Sequence, residues 1–352
     1  MSQSFLIVRL GSLGDLIHTL PAVAALRRAY PDARIDWLVE APHRELLGLV
    51  PIISNVIVLR DRTLGAWLEA RRVLRKNRYD VALDFQGLIK SAALARLSGA
   101  RSVVGFDRRA LREPAARLFY TNSPRVGEGR HVIDKNLALM SALLERKEVL
   151  RASPAEQAAV DFPMRNIASA AVDQVMAAMR AEGLAQYALV NPGAAWPNKR
   201  WPADRFGAVG AVLRNEYQML PVVLWGPGER SLAESVVAAS CGAGVVAPET
   251  QLPDLVALAR GASFMISGDT GPLHIGCAAG VPTVSLFGPT DSQRNGPWNA
   301  HDVVLSRYDQ CPCHYKRQCL QPDKWCLAEI SAEQVCAAVR ERLGASSSAP
   351  SA

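Results

Sequence analysis

"FLIVRLGSLGDLIHTLPA", residues 5–22, decides the fold. The apolar run Phe5–Leu10 reads as a buried first strand. Gly11 and Gly14 frame a tight turn behind it. Thr19 and Pro21 resemble the N-cap and early proline of a helix running to about Tyr30, with a short turn before it. Strand, glycine turn and helix in that order form the first crossover of a parallel sheet. The turn is not a dinucleotide fingerprint. G-x-G-x-x-G starting at Gly11 needs glycines at 13 and 16, where the chain has Leu13 and Leu16. Asp15 would also repel a pyrophosphate at this helix start, which otherwise favours anions. A carboxylate at a strand end suits a general base, whereas Asp is equally ordinary as a helix cap. The loop alone leaves these two readings level.

The same alternation continues outward. Ile35–Val39, Val56–Leu59 and Val81–Leu83 read as further buried strands, most of them separated by helical patterns. The pattern restarts after a connecting region at 161–185. Tyr187–Val190, Leu220–Trp225, Phe264–Ser267 and Thr283–Phe287 each end in a glycine-bearing turn. In open α/β sheets ligands lie beyond the carboxyl ends of the strands, where such turns gather. The expected organisation is therefore an α/β protein of two parallel-sheet domains, 1–160 and 186–330, facing across a cleft. A C-terminal helix over 331–343 and a disordered Ser/Ala/Pro tail over 344–352 complete the chain.

Composition agrees. A chain of 352 residues exceeds what one core usually supports. Apolar content of 49% with 21% charge is globular rather than disordered. No stretch approaches the roughly 18–20 apolar residues of a membrane span, and the N-terminus lacks the basic region of a signal peptide. A cytoplasmic protein is expected. The net charge of +7 points to an anionic partner. The excess lies in arginines over 60–78 and 101–130, for which solvated helix faces are an equal explanation. Aromatic residues are only 6%, and no nucleic-acid module is visible, so nucleic acid is not an expected partner.

The second half carries the anion-binding groups. In "NPGAAWPNKRWPADRF", Lys199 follows a strand-end turn and can meet a phosphate as a point charge, or can be a plain surface lysine. In "ISGDTGPLHIGCAAGVPTVSLFGPT", Thr270 and Gly271 open a helix whose N–H groups suit a pyrophosphate. Asp269 orients that loop or caps the helix, and His274 lies one turn in. Glu229, after Gly226-Pro227-Gly228, is a candidate for ribose hydroxyls. No D-x-D pair occurs, so no catalytic metal and no cofactor are expected. Cys241, Cys277 and Cys336 read as buried small hydrophobes. Cys311, Cys313, Cys319 and Cys326 follow C-x-C-x5-C-x6-C rather than paired C-x2-C. A packed reduced loop or a disulfide is expected there ahead of a metal.

Taken together, "GSLGDLIHTLPA", "YDVALDFQGLIKSA", "REPAARLFY", "NPGAAWPNKRWP" and "SGDTGPLHIGCAAGVPTVSLFGPTD" resemble glycosyltransferase family 9, the heptosyltransferases of lipopolysaccharide core synthesis. The resemblance covers nearly the whole chain. "LREPAARLFY" and "DFQGLIKSA" lean toward the members that add the first heptose, while the cysteine-rich stretch departs from their pattern. The resemblance implies a GT-B fold, ADP-L-glycero-D-manno-heptose as donor, Kdo-lipid A as acceptor and metal-independent inverting transfer. It implies Asp15 as base, Lys199 at the donor phosphates, Asp269, Thr270, Gly271 and His274 as the donor loop, and Glu229 near the ribose. Arg112 matches an acceptor arginine, with the Arg60/Arg62 region assisting. It further implies a peripheral place at the cytoplasmic face of the inner membrane, where the basic N-terminal half meets an anionic leaflet.

Three other readings remain. A sister enzyme of the family would use a later core acceptor or another sugar. A nicotinamide-dependent oxidoreductase would use Glu40, at the end of the second strand, for a ribose. A non-catalytic nucleotide-binding protein would bind ADP without turnover.

Overall fold

The computed structural model describes residues 3–126, 131–145, 160–320 and 326–347. It divides into two units, Met1–Arg165 and Asn166–Ala352. The first holds β1 (Ser4–Val8), β2 (Arg34–Glu40), β3 (Asn55–Leu59), β4 (Val81–Asp84) and β5 (Ser102–Gly105). Their order is β3-β2-β1-β4-β5, with every pairing parallel. The second holds β6 (Gln186–Asn191), β7 (Met219–Val223), β8 (Val245–Val246), β9 (Phe264–Gly268), β10 (Thr283–Phe287) and β11 (Val303–Ser306). Their order is β11-β10-β9-β6-β7-β8, again all parallel.

Every residue of β1, β4, β7, β9 and β10 is buried. Burial on both faces explains why these strands read as mostly apolar runs rather than alternating ones. Both sheets reverse direction at one place. Beyond β1 the order passes to β4, and beyond β6 it passes to β9. These are the switch points at which ligands settle in such sheets.

The structure shortens the first strand. It ends at Val8, because the Leu10 N–H leaves the ladder for the Gln86 side chain at 2.8 Å. The expected short turn is a helix, Leu13–Ile17, followed by the helix Leu20–Ala29. Pro21 opens the latter as expected. Thr19 does not cap it with its side chain, since its hydroxyl donates back to the Asp15 carbonyl at 2.8 Å.

Asp84 fixes the loop after β4. Its buried carboxylate accepts from the Gln86 N–H at 2.9 Å, Ser91 Oγ at 2.8 Å and the Tyr120 hydroxyl at 2.7 Å. These bonds favour its charged form, yet complete burial outweighs them and pushes its pKa up. Gly87 turns this loop at φ +70°, where a β-carbon would also meet Leu111 at 2.9 Å.

In the second unit, Trp201 and Phe206 pack edge to face on a core from β6, β9 and β10. The stretch 160–169 carries no helix or strand, and the helix Ala170–Ala181 follows. The C-terminal helix runs Ala332–Ser347, past the limit expected at 343, so 344–347 are helical rather than disordered. Residues 348–352 of the expected tail lie outside the described residues. Among the described residues no helix is long and apolar enough to cross a membrane.

Candidate active site

Asp15 sits within the short helix behind β1 and caps its start. Its Oδ2 accepts from the N–H and the hydroxyl of Ser12, each at 3.3 Å, which is the cap. Its Oδ1 meets Arg9 Nη2 at 2.5 Å. The Asp15 side chain keeps 29% of its exposure, against 7% for Arg9, so solvent reaches the acid and not its partner. Arg9 was not singled out in the sequence. Its guanidinium donates to the Phe85 carbonyl, and its own carbonyl accepts from Trp37 Nε1 at 3.0 Å. A buried cation held this way fixes the direction in which the Asp15 carboxylate points.

Around this loop the ends of β2 and β4 meet. Glu40 is bound by Lys90 at 3.1 Å and Arg62 at 3.5 Å. Burial alone would push its carboxyl up, but the two cations outweigh it and hold the pKa below the usual range. His43 lies so close that a β-carbon on Gly11 would be 3.0 Å from its Nε2. Burial lowers the His43 pKa. Arg60 pairs with Glu69 at 2.5 Å on the surface. Arg112 is exposed just before the turn Pro114–Phe119. Among the described residues no ion pair joins Arg60, Arg62 and Arg112 into one cluster.

In the second unit the structure gathers five of the sequence candidates at the β6/β9 switch point. Lys199 Nζ donates to Asp269 Oδ2 at 2.5 Å and to its carbonyl at 3.2 Å. It also lies 4.6 Å from the centre of the Trp196 ring. Asp269 is not a helix cap. It is a buried acceptor that also receives Thr290 Oγ1 at 2.5 Å and Asn295 Nδ2 at 2.9 Å, with His274 Nε2 at 3.5 Å. Burial would raise its pKa, but His274 and Lys199 overcome that and hold it well below the usual carboxylate range.

Thr270 stands at the N-cap of the helix Gly271–Ala278 without capping it through its side chain. Its hydroxyl accepts from Asn191 Nδ2 at 2.8 Å instead. The N–H groups of that helix start thus have no side-chain cap, and they lie beside an ammonium. This arrangement suits an anion. Lysine carries three N–H bonds, and two of them go to Asp269.

Glu229 lies at the neighbouring turn after β7. Its carboxylate accepts from Arg200 Nη2 at 2.9 Å and from the Gly226 N–H at 3.2 Å. Gly193 makes room for it, since a β-carbon there would be 2.1 Å from Glu229 Oε2. Arg200, Thr290, Asn295 and Asn191 were missed in the sequence. Each reaches its partner across many residues, and only the neighbourhood of Lys199 and of "GPTD" hinted at them.

A model of glycosyltransferase family 9 (heptosyltransferase) matches residues 67–324. The chain belongs to glycosyltransferase family 9. Lipopolysaccharide heptosyltransferase 1 of Pseudomonas aeruginosa is 32% identical over 336 residues, covering 90% of this chain and 88% of that protein. The enzyme of the same description from Escherichia coli K12 is 26% identical over 309 residues, 85% and 92% of the two chains. The solved structure of E. coli heptosyltransferase WaaC with ADP superposes with a TM-score of 0.73 at 25% identity, covering 97% of this chain and 98% of that one. As a family 9 member this chain is a glycosyltransferase, and its two parallel-sheet units are those of the GT-B fold.

Proposed function

We propose that this glycosyltransferase moves heptose from ADP-L-glycero-D-manno-heptose to Kdo-lipid A in the lipopolysaccharide inner core. Its relatives from three genera are named lipopolysaccharide heptosyltransferase 1. Solved E. coli relatives hold ADP and ADP-2-deoxy-2-fluoro heptose. The observation that carries the reading in this chain is the Lys199–Asp269 pair beside the uncapped start of Gly271–Ala278, because a leaving diphosphate needs such a cationic, donor-rich place.

The residues divide the chemistry between the units. Lys199, Thr270 and Gly271 receive the donor diphosphate, with Asp269 and His274 holding Lys199 and the loop in position. Glu229, steadied by Arg200, accepts the ribose hydroxyls. In the first unit Asp15 takes the proton from an acceptor hydroxyl as its oxygen attacks the anomeric carbon. The bond to ADP breaks on the opposite face, so configuration inverts. Charge growing on ADP meets Lys199 and the helix start, which is why transfer proceeds without a catalytic metal. Arg60, Arg62 and Arg112 attract the acidic Kdo sugars. The same arginine-rich half draws the enzyme to the anionic cytoplasmic leaflet, as a peripheral protein.

Mass spectrometry of Kdo-lipid A incubated with ADP-heptose and the purified chain tests this. A gain of one heptosyl residue is expected. A gain only on an acceptor that already carries heptose would overturn the acceptor in favour of a later core position.

A further inference from the structure

Among the described residues of the first unit, the large apolar side chains left exposed are Leu64, Leu68, Val73, Ile89 and Leu118. They fall on one layer of the unit. The crossovers from β3 to β4 and from β4 to β5 run in one direction across the strand order, while those from β1 to β2 and from β2 to β3 run in the other. Right-handed crossovers therefore set the helices Leu64–Asn77 and Ile89–Leu97 on one face of the sheet and Leu20–Ala29 on the opposite face. The turn Pro114–Phe119, which carries Leu118, packs against Ile89–Leu97. The helix Val132–Glu145 packs on Leu20–Ala29, on the other side.

Within the exposed layer, Leu64–Asn77 presents a distinct row. Ala70 and Leu74 are buried and hold this helix to the unit. Leu64, Leu68, Arg72 and Lys76 recur every fourth residue, so they line up on the side away from that contact, and all four are exposed. The row is about 18 Å long. Leu64 is 80% exposed and Leu68 58%, so two neighbouring leucines meet water at one end and two cations continue the row. A single exposed leucine is ordinary. A leucine pair running into arginine and lysine on one helix side is the pattern of a helix that lies in a lipid interface.

The charge around the row points the same way. Residues 60–78 hold seven arginines and lysines against Asp61 and Glu69. Both acids are answered locally, Glu69 by Arg60 at 2.5 Å and Asp61 by the Thr63 N–H at 2.7 Å. Among the described residues neither Arg72 nor Lys76 makes an ion pair. We propose that the row Leu64, Leu68, Arg72 and Lys76 docks this chain on an anionic lipid bilayer, with the leucines in the acyl boundary and the cations among the lipid phosphates. This rests on the Kdo-lipid A reading, because that acceptor's acyl chains stay in a bilayer, and it adds an apolar contact that salt does not screen. A nucleic acid would match the cations but leave the leucines in water. A second copy of this face would set like charges against each other.

Flotation of the full chain with vesicles tests the row. Wild type should float with vesicles of phosphatidylethanolamine and phosphatidylglycerol and far less with phosphatidylcholine alone. Changing both leucines, Leu64→Gln with Leu68→Gln, should weaken the anionic-vesicle binding at least tenfold, with transfer to a detergent-dispersed acceptor unchanged. Changing both cations, Arg72→Gln with Lys76→Gln, should cost about fivefold per residue at low salt and little at high salt. Amide hydrogen exchange of wild type gives a reading free of variants, with slowing over 64–76 expected on anionic vesicles. Wild type and the leucine variant floating equally would overturn this row and leave a peripheral enzyme that docks elsewhere, as would slowing confined to other segments. Wild type that stays unbound to anionic vesicles would overturn the peripheral reading together with the row. A dimer in sedimentation velocity that the leucine variant breaks, with flotation unchanged, would assign the row to self-association.

Discussion

Replacing Asp269 by Asn removes one charge and almost no volume from the centre of the second unit. The wild-type carboxylate is 5% exposed and faces Lys199 at 2.5 Å, with Thr290, Asn295 and His274 around it. Removing one member of a buried pair leaves the other charge uncompensated, at a cost of about 3–5 kcal/mol. Lys199 keeps 14% of its exposure and can partly turn to water, which favours the lower end. One of the neutral donors also loses its acceptor, adding about 1 kcal/mol. A net loss of about 4 kcal/mol in a unit of this size lowers Tm by about 8–16 °C. Differential scanning calorimetry at neutral pH measures it.

The pH dependence gives a second check on the same variant. Because the folded Asp269 pKa is depressed, its stabilisation is present in full above the ordinary aspartate value of about 3.9. It is lost as the pH falls below that toward the folded value. The Tm gap between wild type and Asp269→Asn should stay constant from pH 8 to about pH 5 and narrow below about pH 4. A variant melting within about 2 °C of wild type at neutral pH would refute a desolvated Lys199–Asp269 pair.

Three further outcomes follow from the same contacts. Lys199→Ala should raise the donor KM and lower kcat together, each by about tenfold or more, in steady-state assays of ADP release. Gly193→Ala should push the Glu229 carboxylate off the Gly226 N–H and Arg200, weakening ADP binding about tenfold by calorimetry while Asp15 chemistry is untouched. Asp15→Asn should lower kcat by about 10²- to 10⁴-fold with ADP affinity near wild type, read by single-turnover kinetics and calorimetry.

The strands were legible because burial on both faces leaves apolar runs in them, as in Leu6–Val8 and Met265–Ile266. Their ends were less so. Phe5–Leu10 looked like one strand, yet the Leu10 N–H goes to a side chain 76 residues away, which no local pattern encodes. Cys241 was expected to be buried among apolar neighbours. It is exposed, at φ +55° just past the helix Arg230–Ala239, because that helix ends there and the chain turns outward. Glu40 looked open to a ribose. Lys90 and Arg62 occupy it instead, and neither is near it in sequence.

The site shows the same division. Lys199 and Thr270 were visible because they follow strand-end turns, a position that carries its own meaning in a parallel sheet. The partners that set their geometry were not. Arg9 was not singled out within the run Phe5–Leu10, and only the fold reveals it as the cation beside Asp15. Asp269 was readable as a loop or cap residue. Its role as a hub for Lys199, Thr290 and Asn295 depends on contacts 21 to 70 residues apart.

A crystal structure of this enzyme with the intact nucleotide sugar bound is the most direct measurement of how the two units share the work. Both phosphorus atoms should lie within hydrogen-bonding reach of Lys199 Nζ and the N–H groups opening Gly271–Ala278, with no phosphate at the first unit's glycine turn. Electron density placing the diphosphate against Gly11 and Gly14 would contradict the assignment of proton removal to Asp15.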